Sequence, residues 1–523
     1  MSLPKVPLIT GLLQSAAYPH PVHGIQVIET HISWVLLTGD FAYKLKKPVD
    51  TGFADFSTLE RRRICCQEEL RLNRRLAPDL YLDMVVITGT PEHPRMGGSG
   101  PVVEYAVRMR QFDNRMLLSA LAERGELRET HIDHLARIVA DFHAQITVAD
   151  AASPFRRAAE TAGPAVDNLN ILQQHGQFPG SSHVPQLRQW TESQVMRLAD
   201  TFRERAAQGM VRDCHGDMHL GNIFADAADH VTVFDCIEFS DRLRWIDIMS
   251  EVAFVVMDLD HRSYAPFAAR FLDHWLQRTG DYSGLQVLQF YLVYRALVRA
   301  KVGVLRSHQS GLDPDERAQV EHATANYLDL AASYVRTRQR SLLMTCGLSG
   351  SGKSFAAGQL VEQLQLVEQL RVVRIRSDVE RRRLAGLSPL DRAASGSDVA
   401  LYTAARTAAV YQHLLRLAEQ ILQAGFSVIV DATFLRSADR DQFTQLADRL
   451  DVPCVILMFA APVQLLKQRV RARQEEATDA SDATEEIIDL QLRQFEPLTP
   501  EEQTRVVDTS SSDWINLLQR RLA

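Results

Sequence analysis

Residues 215–222 read HGDMHLGN. His215 and His219 stand four apart, the spacing at which two imidazoles on one helix face share a zinc ion. Gly216, Asp217 and Gly221 make such a helix unfavourable, and no third ligand is evident. The same residues also fit H-x-D-x-x-x-x-N, the spacing of a phosphotransfer loop. There the aspartate accepts the proton of an attacking hydroxyl, and the asparagine five residues on holds Mg²⁺. Asp217 is the candidate base and Asn222 the candidate ligand. A second metal-binding carboxylate should end an apolar strand nearby. "HVTVFDCIE" supplies Asp235, thirteen residues after Asn222. Asp247 in "RWIDIMSE" either braces this loop or caps a helix.

A second cluster, GLSGSGKS at 347–354, fits G-x-x-x-x-G-K-[ST]. In such a loop Gly347, Ser349, Gly350, Ser351 and Gly352 turn backbone N–H groups toward phosphate oxygens, and the following helix adds its positive dipole end. Lys353 would reach the β- and γ-phosphates, and Ser354 would ligate Mg²⁺. "RIRSDVERRR" sets Asp378 where a second parallel strand should end, the edge at which ligands bind in open α/β sheets. A carboxylate there can take the acceptor's proton, and Arg381, one helical turn on, can hold an anionic part of the acceptor. The bland alternative is a helix cap with solvated arginines. Asp431 in "VIVDAT" is an indirect Mg²⁺ partner or a strand-end cap. Arg469 and Arg473, four apart on one helix, suit a lid over transferring phosphate, or else an exposed basic face.

The elements that must position these residues can be read from the periodicities. Short β-like runs fill 22–60, a helix follows until Pro78, and a strand pair, 81–88 and 101–110, flanks the turn-rich GTPEHPRMGGSG. Helical patterns dominate from Asp113 to about Arg340, interrupted at 211–240. Beyond 338 the pattern changes to alternation: strands at 341–346, 371–378, 426–433 and 454–460, with helices over 354–370, 398–424, 437–450 and 462–474. Strands alternating with helices of this length predict a parallel sheet with both faces covered. A boundary is expected near 338.

The chain's 523 residues suggest more than one domain. With 46% hydrophobic and 24% charged residues it is compositionally an ordinary globular protein. A net charge of −7 argues against a broad nucleic-acid-coating surface, though not against a local basic pocket. Six scattered cysteines without a CxxC fit neither a disulfide framework nor a zinc ribbon. No apolar run spans a bilayer and no signal peptide is evident, so a cytoplasmic protein without membrane partners is expected.

Residues 340–510 resemble the P-loop kinases of the polynucleotide-kinase and zeta-toxin kind, on GLSGSGKS, SDVER, VIVDATF and QRVRAR. The resemblance implies Asp378 as general base and Arg381 as acceptor-phosphate ligand. That scaffold also phosphorylates metabolites and sugars, so the acceptor stays open. Residues 22–335 resemble the aminoglycoside phosphotransferase family, on CHGDMHLGNIF and FDCIEF. This implies a kinase-like fold, Asp217 as base, and Asn222 and Asp235 as metal ligands. "AYK" resembles its A-x-K element, which makes Lys44 the nucleotide lysine, with Lys46 an alternative. Glu69 is the preferred helix partner and Glu68 the second choice. Two departures stand out: no G-x-G-x-x-G precedes Lys44, and the D-F-G triplet has become DCI.

The expected fold is therefore an α+β, two-lobed, protein-kinase-like domain over 1–338 (lobes about 22–112 and 113–335). An α/β P-loop NTPase domain with a parallel sheet follows over 339–523. The expected function is a bifunctional ATP- and Mg²⁺-dependent phosphotransferase. Its first module would act on a small-molecule hydroxyl. Its second would act on a 5′-hydroxyl nucleic-acid end, a nucleotide, a sugar or a phosphorylated metabolite. The alternative is a P-loop regulatory ATPase fused to a catalytically degenerate kinase-fold binding module. An antibiotic-modifying enzyme is disfavoured, because the acidic residues near 226–260 are too few to mark a polycation pocket.

Overall fold

Alternating runs between residues 22 and 110 assemble into one six-stranded antiparallel sheet in the computed structural model. The structure describes residues 6–50, 52, 55–309, 312–364, 371–390, 403–476 and 484–522, without the side chains of 158–159 and 473–476. The sheet order is β1 (Gln26–Glu29), β2 (Ser33–Leu37), β3 (Phe41–Lys46), β6 (Val102–Arg110), β4 (Tyr81–Gly89) and β5 (Pro94–Met96). β5 lies in the stretch read as turn; Pro94 is tolerated there because β5 is an edge strand and Pro94 its first residue. Helix α1 (Leu59–Asn73) starts where the Thr58 hydroxyl accepts the Arg61 N–H at 3.3 Å. It ends five residues before Pro78, its last carbonyls taken up by turn residues 74–77.

The compact units divide differently from the sequence segments. The first comprises 1–134, 141–163 and 202–258, and the second 135–140, 164–201 and 259–523. In the first unit, β7 (Val211–Asp213) pairs with β10 (Trp245–Asp247) and β8 (Ile223–Ala225) with β9 (Val231–Val233). These two hairpin-like pairs carry the loop at 214–222 and Asp235. Helix α2 (Glu129–Gln145) and helix α3 (Ile248–His261) flank them in the chain.

The second unit is built on a five-stranded parallel sheet in the order β12 (Val372–Arg376), β13 (Ser427–Asp431), β11 (Leu342–Cys346), β14 (Cys454–Met458), β15 (Val506–Asp508). Four of these strands were legible as apolar runs, and β15 is an addition. β11 and β13 are buried at every residue, as a sheet covered on both faces requires. Helix α4 (Ala265–Thr279), begun by Pro266 and ended at Gly280 with φ +72°, belongs to this unit. Its Ala269 joins the buried cluster of Leu343, Ala357, Leu360 and Ile429. Helices α5 (Lys353–Gln363), α6 (Ser377–Leu384), α7 (Ala404–Gln423), α8 (Val463–Glu476) and α9 (Glu485–Gln494) follow. The expected helical stretches at 365–370 and 398–402 fall outside the described residues.

Candidate active sites

In the first unit β3 points alternate side chains to the sheet face that α1 covers, and Lys44 and Lys46 share that face. Lys44 Nζ lies 2.7 Å from Glu69 Oε1, and Lys46 Nζ lies 2.7 Å from Glu69 Oε2. Lys44 also contacts Asp235, and Lys46 contacts Glu238. Burial opposes the charge on Lys44, but Asp235, Glu69 and Glu238 together hold its pKa well above the usual lysine value. Burial likewise pushes Glu69 up, and the two ammonium groups outweigh it and hold the carboxyl low. Glu68, the second choice, is instead an exposed partner of Arg71 at 2.7 Å.

The loop at 215–222 is not helical around the two histidines. Asn222 Nδ2 donates to the Asp217 carbonyl at 2.9 Å and to Asp217 Oδ2 at 3.1 Å, so candidate base and ligand are held together. His219 Nε2 lies 3.5 Å from Asp217 Oδ2. His215 is buried; its Nε2 donates to the Phe234 carbonyl at 2.9 Å while Nδ1 accepts the Asp217 N–H at 3.3 Å. That pair fixes a neutral tautomer. Burial lowers the His215 pKa, only partly offset by Glu251 and Asp217. Asp235 sits at φ +64°, its N–H on the Tyr81 hydroxyl at 3.2 Å, and its side chain is 41% exposed.

Asp247 does not brace the loop: it pairs with buried Arg205 at 2.7 Å and accepts the Met249 N–H at 2.9 Å. Glu251, four residues on, does so. Its Oε1 accepts the N–H groups of His215 and Gly216, both at 2.8 Å, and its Oε2 meets His143 Nε2 at 3.0 Å. Sequence reasoning missed Glu251 and Asp258, whose Oδ2 accepts the Leu220 N–H at 2.9 Å, although acids inside the largely apolar IMSEVAFVVMD are a signal for satisfied buried carboxylates.

In the second unit the 347–354 loop wraps the end of β11. Gly347 (φ +145°) and Gly350 (φ +82°) admit no side chain: a Cβ would lie 2.3 Å from the Phe459 carbonyl oxygen and 2.8 Å from that of Leu466. Gly352 is also left-handed, at φ +97°. A cavity of about 470 Å³ opens over this loop. Its walls include Lys353, Ser354, Asp378, Arg381, Asp431 and Arg469. β12 stops at Arg376, so Asp378 stands in the first turn of α6, two residues past the strand end expected for it. Arg381 Nη1 donates to Thr407 Oγ1 at 3.4 Å, and Arg469 Nη1 to the Gly350 carbonyl at 3.3 Å. Arg473 falls in α8, and its side chain is outside the described residues. Gln491 of α9, not foreseen, holds Ser349 twice: it accepts the backbone N–H at 2.8 Å and donates to the hydroxyl at 3.0 Å.

Both sites fit a nucleotide with a hard divalent cation. In the second, buried Ser351 Oγ and Asp431 Oδ2 have no hydrogen-bond partner, and Gly347 and Gly350 have room only for backbone. In the first, Asp217, Asn222 and Asp235 offer oxygen donors of the kind Mg²⁺ takes. Lys353 Nζ meanwhile donates to the Leu348 carbonyl at 2.7 Å.

Comparison with known proteins matches two separate segments of the chain. The model of the phosphotransferase enzyme family matches residues 110–290, and an AAA domain model matches 342–498. Uncharacterized protein Rv2004c of Mycobacterium tuberculosis is 31% identical over 472 residues, covering 90% of each chain. Uncharacterized protein Mb2027c of Mycobacterium bovis matches to the same extent. Among solved structures, spectinomycin phosphotransferase in complex with ADP and spectinomycin covers 64% of this chain and 99% of its own, at 11% identity and a TM-score of 0.37. A Plasmodium vivax ethanolamine kinase covers 60% and 82%, at 10% identity and a TM-score of 0.38. Kti12 of Chaetomium thermophilum, in complex with ADP-AlF3, covers 35% and 99%, at 18% identity and a TM-score of 0.28.

Proposed function

Because the chain belongs to the family of the mycobacterial proteins Rv2004c and Mb2027c, and is a phosphotransferase with a kinase-like segment and a P-loop segment, we propose that it is a bifunctional ATP-dependent kinase. The division proposed is 1–338 for the first activity and 339–523 for the second. In the first, Asp217 takes the proton of a small-molecule hydroxyl, Lys44 held by Glu69 orients nucleotide phosphates, and Asn222 and Asp235 hold Mg²⁺. In the second, the 347–352 backbone, Lys353, Arg469 and Arg473 hold the nucleotide. Ser354 and Asp431 hold Mg²⁺, Asp378 takes the acceptor's proton, and Arg381 binds an anionic part of the acceptor. When bound, Mg²⁺ neutralises charge developing on the phosphate oxygens. The protein's own contribution is positioning and charge.

One observation carries this reading. The cavity over the glycine cradle gathers a lysine, the Ser354 hydroxyl, two carboxylates and three arginines around a single space. Asp378 beside Arg381 in the wall of that space supports a hydroxyl acceptor rather than water as the attacking group. No described helix is long and apolar enough to cross a membrane. All six cysteines are free and buried, which supports a reducing cytoplasm.

A second reading, a degenerate first module, draws on one feature: the β1–β2 turn, Thr30–Ile32, contains no glycine to approach phosphates. One experiment separates the two. Labelled γ-phosphate transfer from Mg²⁺–ATP is followed to a 5′-hydroxyl oligonucleotide and to small hydroxyl acceptors, in wild type, Lys353→Ala and Asp217→Ala. We expect oligonucleotide or phosphorylated-metabolite product lost in Lys353→Ala alone, and a separate small-molecule product lost in Asp217→Ala alone. Nucleotide binding with no acceptor product in the wild type would leave the regulator. Absence of every product sensitive to Asp217 would leave the first module a binding domain.

A further inference from the structure

The second site is tied to a helix that the sequence assigns to the first activity. α4 lies inside the 110–290 match to the phosphotransferase enzyme family, yet it packs in the same compact unit as the parallel sheet. We propose that Asp273 and Gln277 of α4 are positioning residues of the P-loop site, acting through Arg374 and Arg376. The proposal rests on the kinase reading of that site.

Arg374 of β12 is 6% exposed and binds two groups at once. Its Nη1 donates to the Ser354 carbonyl at 2.9 Å, and its Nη2 to Asp273 Oδ2 at 2.7 Å. The backbone at the proposed Mg²⁺-binding serine is therefore fixed by a guanidinium, and the guanidinium is oriented by a carboxylate from α4. α5 keeps a glycine where this guanidinium passes: a Cβ on Gly358 would lie 3.2 Å from Arg374 Nη1. Gln277 extends the chain of contacts. Its Nε2 donates to Asp273 Oδ2 at 2.6 Å, and its Oε1 accepts from Arg376 Nη1 at 3.4 Å. Arg376 Nε in turn lies 3.7 Å from Asp431 Oδ2.

The end of α4 also meets the helix that carries Asp378. Arg383 of α6 donates to the Gln277 carbonyl at 2.6 Å and to the Arg278 carbonyl at 3.3 Å. Gly280 leaves room for it, since a Cβ there would lie 2.8 Å from the Arg383 guanidinium carbon. Ser354, Asp431 and the Asp378 helix are thus all referred to one turn and a half of α4. Ala269 of α4 separately packs into the apolar cluster of the sheet. A second ion pair, Arg270 to Glu362 at 2.7 Å, ends on α5 away from the cavity and serves as an internal control.

The test measures binding of AMP-PNP to the full-length protein with and without Mg²⁺, in a Lys44→Ala background that silences the first site. Asp273→Asn is expected to reduce the Mg²⁺ enhancement of affinity by about tenfold, the usual scale for a group that orients a metal ligand. Asp273→Glu should recover part of it, and Glu362→Gln should leave it within roughly twofold, as for a partly exposed pair. An unchanged enhancement in Asp273→Asn, or an equal loss in Glu362→Gln, would overturn the proposal in favour of simple helix docking. If Asp273→Asn does not fold, Arg374→Lys, which keeps the charge but cannot span both partners, takes its place with the same expectation. Absence of Lys353-dependent binding in the background protein is a different outcome: it removes the kinase reading of the site and this inference with it.

Discussion

In the proposed reading, Asp217 and His215 divide one short loop between chemistry and scaffolding. Asp217 is partly exposed and held by Asn222, a placement that suits a base facing an acceptor. Asp217→Asn keeps that hydrogen-bonding shape and removes the proton acceptor. In a Lys353→Ala background it should lower first-site turnover by about 10²–10³, with ATP affinity nearly unchanged, as single-turnover phosphotransfer would show. His215 never reaches solvent, and burial keeps its folded pKa below the ordinary value. The unfolded chain, with histidine pKa near ~6.5, then takes up the proton first. This contribution to stability is present above that value and is lost as pH falls from about 6.5 toward the folded pKa. The thermal midpoint of the first unit should fall between pH 7 and 5, and His215→Gln should flatten the slope. Some slope should remain, since burial also lowers His131. Glu251 acts elsewhere on the pH scale. Burial pushes its pKa up, but the His143 hydrogen bond, the charges of His143 and His215 and the Gly216 N–H outweigh it and lower it, so its contribution is lost only below about pH 4.5.

At the scale of elements, α3 does more than cover an apolar core. Its Glu251 takes the N–H groups of His215 and Gly216, so the loop's entry is set by a helix rather than by its own turns. Glu251→Leu leaves two buried backbone donors and the buried His143 without their partner, and should cost about 2–4 kcal/mol in unfolding free energy. Glu251→Gln keeps one acceptor and should cost about half as much, and denaturant titration distinguishes the two. Such partners explain what could be read beforehand. The loops carrying Asp217 and Lys353 were legible because their chemistry demands fixed spacing within one segment, and the Lys44–Glu69 pairing only because the family resemblance supplied it. Glu251 on the 215–222 loop, Glu238 on Lys46 and Gln491 on Ser349 join segments tens to more than a hundred residues apart, and no local period encodes that. β15, three residues long, and the two-residue displacement of Asp378 into α6 fall below the resolution of any pattern in propensity.

For the whole molecule, the two proposed nucleotide sites make a prediction together that neither makes alone. Calorimetry with Mg²⁺–AMP-PNP should count two nucleotides per wild-type chain, one in Lys353→Ala and one in Lys44→Ala. A single nucleotide in the wild type that is abolished by Lys353→Ala would leave the first module without ATP. Charge gives the same molecule a second signature. The chain carries −7 overall, yet Arg376, Arg381 and Arg469 line the second cavity. The long-range field therefore repels a polyanion while the cavity attracts a single phosphate. Both effects are screened, but the cavity is partly enclosed and short-ranged, so salt weakens it less than it weakens the outer repulsion. A short phosphorylated acceptor should then keep its KM within about threefold between ~0.05 and ~0.3 M salt, the Debye length at either end exceeding the reach of a direct arginine–phosphate contact. A long oligonucleotide should bind better as salt rises through that range, opposite to the behaviour of proteins that coat nucleic acid. A KM for the oligonucleotide that worsens steeply with salt would instead place an extended basic track on a chain whose net charge argues against one.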